Sequence, residues 1–237
     1  MALIQACKEG DLERVKSLCE AGSDIRYRID LAIRWASKNG HIQVVIYLVS
    51  LGADIRSKND CAVIWASQNG HLEVVKYLVS IGADIRSKND YAVRRASNYG
   101  HIQVVKYLCE AGADIRSEDD EAVRWASLNG HIQVVKYLCE AGADIRSGDD
   151  CAVRYASENG HLEMVKYLCE AGADSSKISE KDQRYILFCE KMKINIRYRA
   201  QKRIYYWWIP ICHDPNRESG KRMMQRSFEK SMAGELC

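Results

Sequence analysis

The sequence is poor in proline and phenylalanine, with two of each in 237 residues. That excludes proline-rich spacers and collagen-like chains, and 47% hydrophobic with 28% charged residues excludes a disordered one. No apolar run approaches the ~18 to 20 residues that a membrane span needs. The longest, Ile204 to Cys212, covers nine residues and contains Pro210. Residues Met1 to Gly10 lack the basic start and long apolar centre of a secretory signal, so the expectation is a non-secreted protein without a transmembrane segment. Cys-x-x-Cys is missing, as is any Cys/His spacing suited to zinc. Ten cysteines without such a framework point to a reducing, cytoplasmic setting. No nucleophile–base pair, glycine-rich phosphate loop or carboxylate pair stands outside the pattern described next, so neither an enzyme nor a cofactor is expected.

The net charge of +3 conceals two regions of opposite sign. Residues 175 to 237 hold 14 Lys plus Arg against 7 Asp plus Glu, while residues 1 to 174 hold 21 against 25. The acidic region is periodic. Gly-His recurs at 40, 70, 100, 130 and 160, and Gly-Ala-Asp recurs from 52 to 174, both at a spacing of 30. Gly100 to Ser117 is repeated letter for letter from Gly130 to Ser147. With an opening unit carrying Gly10-Asp11, this makes six units: about 1–30, 31–60, 61–90, 91–120, 121–150 and 151–174.

Each unit reads as two helices. Tyr91 to Ser97 forms the first, with Asp90 as an N-cap whose carboxylate takes the free amide protons, and Gly100 stops it. Ile102, Val105 and Leu108 form one stripe of the second helix and Val104 with Tyr107 another, so this helix is buried on two sides. In the first unit Arg14 and Ser17 replace the Val44 and Tyr47 columns, as expected of a terminal unit with a soluble outer face.

The core Trp-Ala-Ser-x-Asn-Gly-His-x-x-Val-Val-Lys-Tyr-Leu-x-x-x-Gly-Ala-Asp resembles the ankyrin repeat over about three-quarters of the chain. The resemblance implies an all-α solenoid of stacked helix-turn-helix repeats that binds protein partners without catalysis. The usual unit has three residues more, and their loss falls in the linker that normally projects as a hairpin. Here short turns are expected instead. The Thr-Pro-Leu-His opening is also missing, reading Cys61-Ala-Val-Ile64 or Cys151-Ala-Val-Arg154. Near-identical 30-residue units are similar to those of ankyrin proteins from giant amoeba viruses, which implies a viral protein acting on host proteins in the host cytoplasm.

Columns that never change report packing, and columns that change are the candidates for recognition. One variable column holds Trp35, Trp65, Arg95, Trp125 and Tyr155, types that anchor interfaces. The next holds Lys38, Gln68, Asn98, Leu128 and Glu158, with Tyr99 beside it. These eleven residues are the candidate protein-binding site; capping of the groove between helices is the structural alternative. A row of Arg34, Arg94, Arg124 and Arg154 is expected to pair with Asp30, Asp90, Asp120 and Asp150 or with the Gly-Ala-Asp carboxylates. The five repeated histidines stand one unit apart, about the ~8 to 10 Å of packed helices, too far to share a metal. The family resemblance implies instead that they tie adjacent loops by hydrogen bonds. Cys109, Cys139 and Cys169 share a column with Val49 and Val79 and are expected to pack as small apolar residues.

After Asp174 the period fails. Residues 175–193 are expected to form a degenerate seventh unit, with Ser179 and Asp182 as a capping box and an apolar face of Tyr185, Ile186, Phe188, Cys189 and Met192. Residues 194–237 form a basic, aromatic segment with helical character, in which Arg203, Tyr206, Trp207 and Trp208 are candidates for docking a second factor. In that reading the protein is a two-ended adaptor, for example to ubiquitin machinery. Nucleic-acid or membrane-surface binding by the segment is the weaker alternative, because its charge excess is modest. No small-molecule substrate is implied, and a monomer is expected.

Overall fold

The computed structural model describes residues 2–21, 25–191 and 200. The chain divides into two compact units, residues 1–183 and 184–237. The first is a stack of helix pairs: α1 (Ala2–Glu9) with α2 (Leu12–Glu20), α3 (Ile25–Lys38) with α4 (Ile42–Ser50), α5 (Ser57–Gln68) with α6 (Leu72–Ser80), α7 (Ser87–Asn98) with α8 (Ile102–Glu110), α9 (Ser117–Leu128) with α10 (Ile132–Glu140), and α11 (Ser147–Glu158) with α12 (Leu162–Glu170). No strand occurs among the described residues.

The stack is held by its first helices, which pack more closely on one another than the second helices do. Small side chains permit this: Ala62, Ala66, Ala92, Ala96, Ala122 and Ala126 are all buried, with Val63, Val93 and Val123 between them. Each second helix from α4 to α12 buries a triplet such as Val104, Val105 and Leu108, and each such side chain contributes roughly 1.5–3 kcal/mol on leaving water. Arg14 and Ser17 are exposed, whereas Val44 at the equivalent place is buried. The first unit differs in one further way. Asp11 takes the place of the repeated histidine and caps α2 by accepting from Arg14 N at 3.0 Å.

The linkers are compact turns of unusual hand. Lys58, Asn59 and Asp60 all have φ between 57 and 59°, one left-handed turn at the head of α5, and the same turn recurs at 88–90, 118–120 and 148–150. Outside glycine this conformation costs about 1–2 kcal/mol per residue. Bonds formed by the buried Asp60 offset it. Its amide donates to Arg56 O at 3.1 Å, and its carboxylate accepts the Asp84 amide, just beyond the paired helix α6, at 2.8 Å while facing Arg56 Nε at 3.5 Å. Asp30, Asp90, Asp120 and Asp150 accept in the same way from Asp54, Asp114, Asp144 and Asp174. Each helix pair from α3–α4 onward is thus latched by an aspartate, which ties the head of its first helix to the end of its second.

This latch overturns two expectations. Asp90 does not cap its own helix, because its carboxylate is turned to the Asp114 amide. The arginine row does not pair with these aspartates either, because linker residues Arg56, Arg86, Arg116 and Arg146 already do. Arg34 donates instead to Asp30 O at 3.0 Å, Arg94 meets Glu121 at 3.1 Å, Arg124 donates to Glu118 O at 2.8 Å, and Arg154 to Cys151 Sγ at 3.0 Å.

The end of the first unit uses a polar joint. Residues 180–191 are helical, and Asp182 stands thirty residues after Ala152, in the alanine column, where it is nonetheless buried. Its carboxylate accepts from Ser157 Oγ, which in turn accepts from Ser179 N at 3.1 Å. Ser179 Oγ caps Asp182 N at 3.2 Å. The expected capping box forms with the Ser157 hydroxyl inserted into it. In the preceding units the equivalent hydroxyls of Ser37, Ser67, Ser97 and Ser127 are buried without a hydrogen-bond partner. Within residues 184–191, Phe188 of the expected apolar face is exposed, and Met192 lies outside the described residues.

Candidate functional site

The turn between paired helices positions the variable residues. His71 stacks its ring over Gly40, leaving no room there for a side chain, and its Nε2 lies 2.9 Å from Lys38 O. A carbonyl only accepts, so Nε2 carries the proton. His41, His101, His131 and His161 make the same bond to the carbonyls of Lys8, Gln68, Asn98 and Leu128. The repeated histidine therefore grips the backbone of the variable column and leaves its side chains free to differ. Burial lowers the His71 and His101 pKa values, against the raising effect of that bond.

Trp35, Trp65, Arg95, Trp125 and Tyr155 are all half-buried. Trp35 and Trp65 meet edge to face, with centroids 5.6 Å apart at 60°. Arg95 interrupts the aromatic row. It donates to Gln68 Oε1 through Nε at 3.1 Å and Nη2 at 3.0 Å, reaches the Tyr99 hydroxyl at 3.3 Å, and lies 6.0 Å from the Trp125 ring. Gln68, Arg95, Tyr99 and Trp125 thus come together as one cluster, while Asn98 accepts from Asn129 Nδ2 at 2.9 Å. Leu128 is half-buried and Glu158 exposed. Tyr155 carries Arg154 at 5.5 Å. Arg203, Tyr206, Trp207 and Trp208 lie outside the described residues.

Two contributors, Lys8 and Tyr91, were not legible as such in the sequence. Lys8 Nζ sits 4.0 Å from the Trp35 centroid and Lys38 Nζ 4.7 Å from it, so one ring carries two cations. Lys8 precedes Lys38 by thirty residues, and extending the column into the first unit would have found it. Tyr91 meets Arg95 at 5.5 Å and Arg94 at 5.0 Å. On the opposite helices the thiols are passive. Burial pushes Cys109 up to about 11 and raises Cys139 as well.

A repeated frame that carries two variable columns defines a repeat scaffold. The family model described as Ankyrin repeats (3 copies) matches residues 3–89 and 91–179, and the chain belongs to the ankyrin-repeat family. A comparison with curated proteins finds no match. Ankyrin repeats are in general protein–protein interaction modules rather than enzymes. No described helix is long and apolar enough to cross a membrane.

Proposed function

We propose that this protein is a non-enzymatic interaction scaffold whose groove holds a protein partner against Trp35, Trp65, Arg95, Trp125 and Tyr155, with Lys38, Gln68, Asn98, Tyr99, Leu128 and Glu158 selecting it. The observation that carries this reading is the half-burial of the aromatic row beside the repeated Ala-Ser, Gly-His and Gly-Ala-Asp positions. Rigid rings with one face still wet give contact area at little entropic cost. The scaffold works as a monomer in the cytoplasm. The near-identical 30-residue units favour a viral protein that acts on host proteins.

The charge difference between residues 1–174 and 175–237 favours a second reading, an adaptor whose tail recruits another factor through Arg203, Tyr206, Trp207 and Trp208. Affinity capture from host cytosol separates the two. Partners lost from the full chain carrying Trp35→Ala, Trp65→Ala and Trp125→Ala belong to the groove. Those lost only with Trp207→Ala and Trp208→Ala belong to the tail. An identical set on all proteins would refute both.

A further inference from the structure

The polarity of the groove specifies its ligand more narrowly. Along the variable column, extended into the first unit, the residues run Lys8, Lys38, Gln68, Asn98, Leu128 and Glu158, from basic to acidic. At the basic end Lys8 and Lys38 share the Trp35 ring, Lys38 also lies 5.8 Å from the Trp65 centroid, and Arg34 Cζ lies 5.9 Å from it. Linker residues Arg56, Arg86, Arg116 and Arg146 each meet a carboxylate. Among the described residues Lys8, Arg34 and Lys38 meet none within 4.0 Å; their recorded partners are ring faces and, for Arg34, a backbone carbonyl.

A ring face holds an ammonium in place without neutralising it. Like charges gathered on one ring pair repel, and an incoming anion relieves that repulsion. The half-buried rings also exclude water from one side, which strengthens the attraction. We propose that Lys8, Arg34 and Lys38 around the Trp35–Trp65 pair form a subsite that seats a short acidic segment of the protein partner. This rests on the protein-binding reading above. The ligand is a peptide rather than a nucleic acid, because the variable column turns from basic at Lys8 to acidic at Glu158. A phosphate backbone that continued along the column would reach Glu158, within a region of 25 acidic against 21 basic residues. The partner segment therefore places its carboxylates over the first two units and neutral or apolar residues beyond them.

The test starts with a random peptide display library selected on the full-length protein. Selected peptides, labelled with a fluorophore, are titrated by anisotropy against the wild type, Lys8→Met with Lys38→Met, and the Trp35, Trp65 and Trp125 triple alanine. Methionine keeps an aliphatic stem on the Trp35 ring, and Lys8→Gln with Lys38→Gln serves if it fails to fold. The expected result is enrichment of adjacent Asp and Glu, loss of about tenfold in affinity on removing the two charges, and weakening with added salt. Peptides that require the three tryptophans but show neither acidic enrichment nor sensitivity to the lysines overturn the subsite and leave the binding groove standing. If no peptide depends on the tryptophans, the groove reading fails and the subsite with it. Tighter binding of single-stranded oligothymidine than of any selected peptide overturns the assignment to an acidic segment.

Discussion

Gly70→Ala is predicted to be far more damaging than Gly82→Ala, although both glycines have positive φ, +78° and +98°. Either alanine is forced into the left-handed region, at about 1–2 kcal/mol. Around Gly82 a new Cβ would meet nothing within 4 Å, so the cost stops there. At Gly70 it would lie 2.5 Å from Nδ1 and 2.8 Å from Cε1 of His101, an impossible separation. The ring must then move, and its 2.9 Å bond to Gln68 O is lost. A partly buried donor and acceptor left without each other add about 1–3 kcal/mol. The sum for Gly70→Ala is about 3 kcal/mol, against about 1–2 for Gly82→Ala. Urea denaturation followed by circular dichroism measures both, and His101→Ala supplies the decisive background. Without the ring, Gly70→Ala should cost no more than Gly82→Ala, which a double-mutant cycle reads directly. An equal cost of Gly70→Ala with and without His101 would refute the stacking argument.

The other predictions concern groups that the structure leaves strained, unsatisfied or perturbed. Ser67→Ala and Ser97→Ala each remove a buried hydroxyl without a partner and should stabilise by about 1 kcal/mol, whereas Ser157→Ala should destabilise by a similar amount, because that hydroxyl joins Asp182 to Ser179. Urea midpoints that move the same way for all three would contradict this. Lys58→Gly and Lys88→Gly should relieve left-handed strain and stabilise by about 1 kcal/mol in thermal melts, as Gly148 already does in the fifth linker, and the reverse Gly148→Lys should destabilise. For the histidines, burial lowers His71 and His101 in the folded state, so as pH falls the unfolded chain binds protons first. Their contribution to stability is therefore complete above about 6.5 and is lost as pH falls through the lowered folded values. His71→Gln with His101→Gln should flatten the fall of the urea midpoint on mild acidification; an unchanged slope would show that other groups cause it.

The period of 30, the two helices per unit and the buried columns follow from the sequence alone, because they depend on spacing and on the local conformational preferences of alanine, valine and glycine. The short linkers were legible for the same reason, since three residues fewer leave no chain for a hairpin. What the aspartates do was not legible. Asp90 has the right type and place for an N-cap, and only the return of the chain through the paired helix α8, which brings up the Asp114 amide, makes a different bond available. Arg94 and Arg56 carry the same charge, and which of them reaches an aspartate depends on the left-handed turn, a conformation that Lys58 and Asn59 would not adopt by preference. The clustering of Lys8, Arg34 and Lys38 on two tryptophan rings is likewise a product of stacking, because these residues come from different units and meet only when the first helices pack. Repetition dictates what each unit is; the contacts between helices, within a pair and from one pair to the next, which no local preference encodes, decide which groups are latched and which are left to meet a partner.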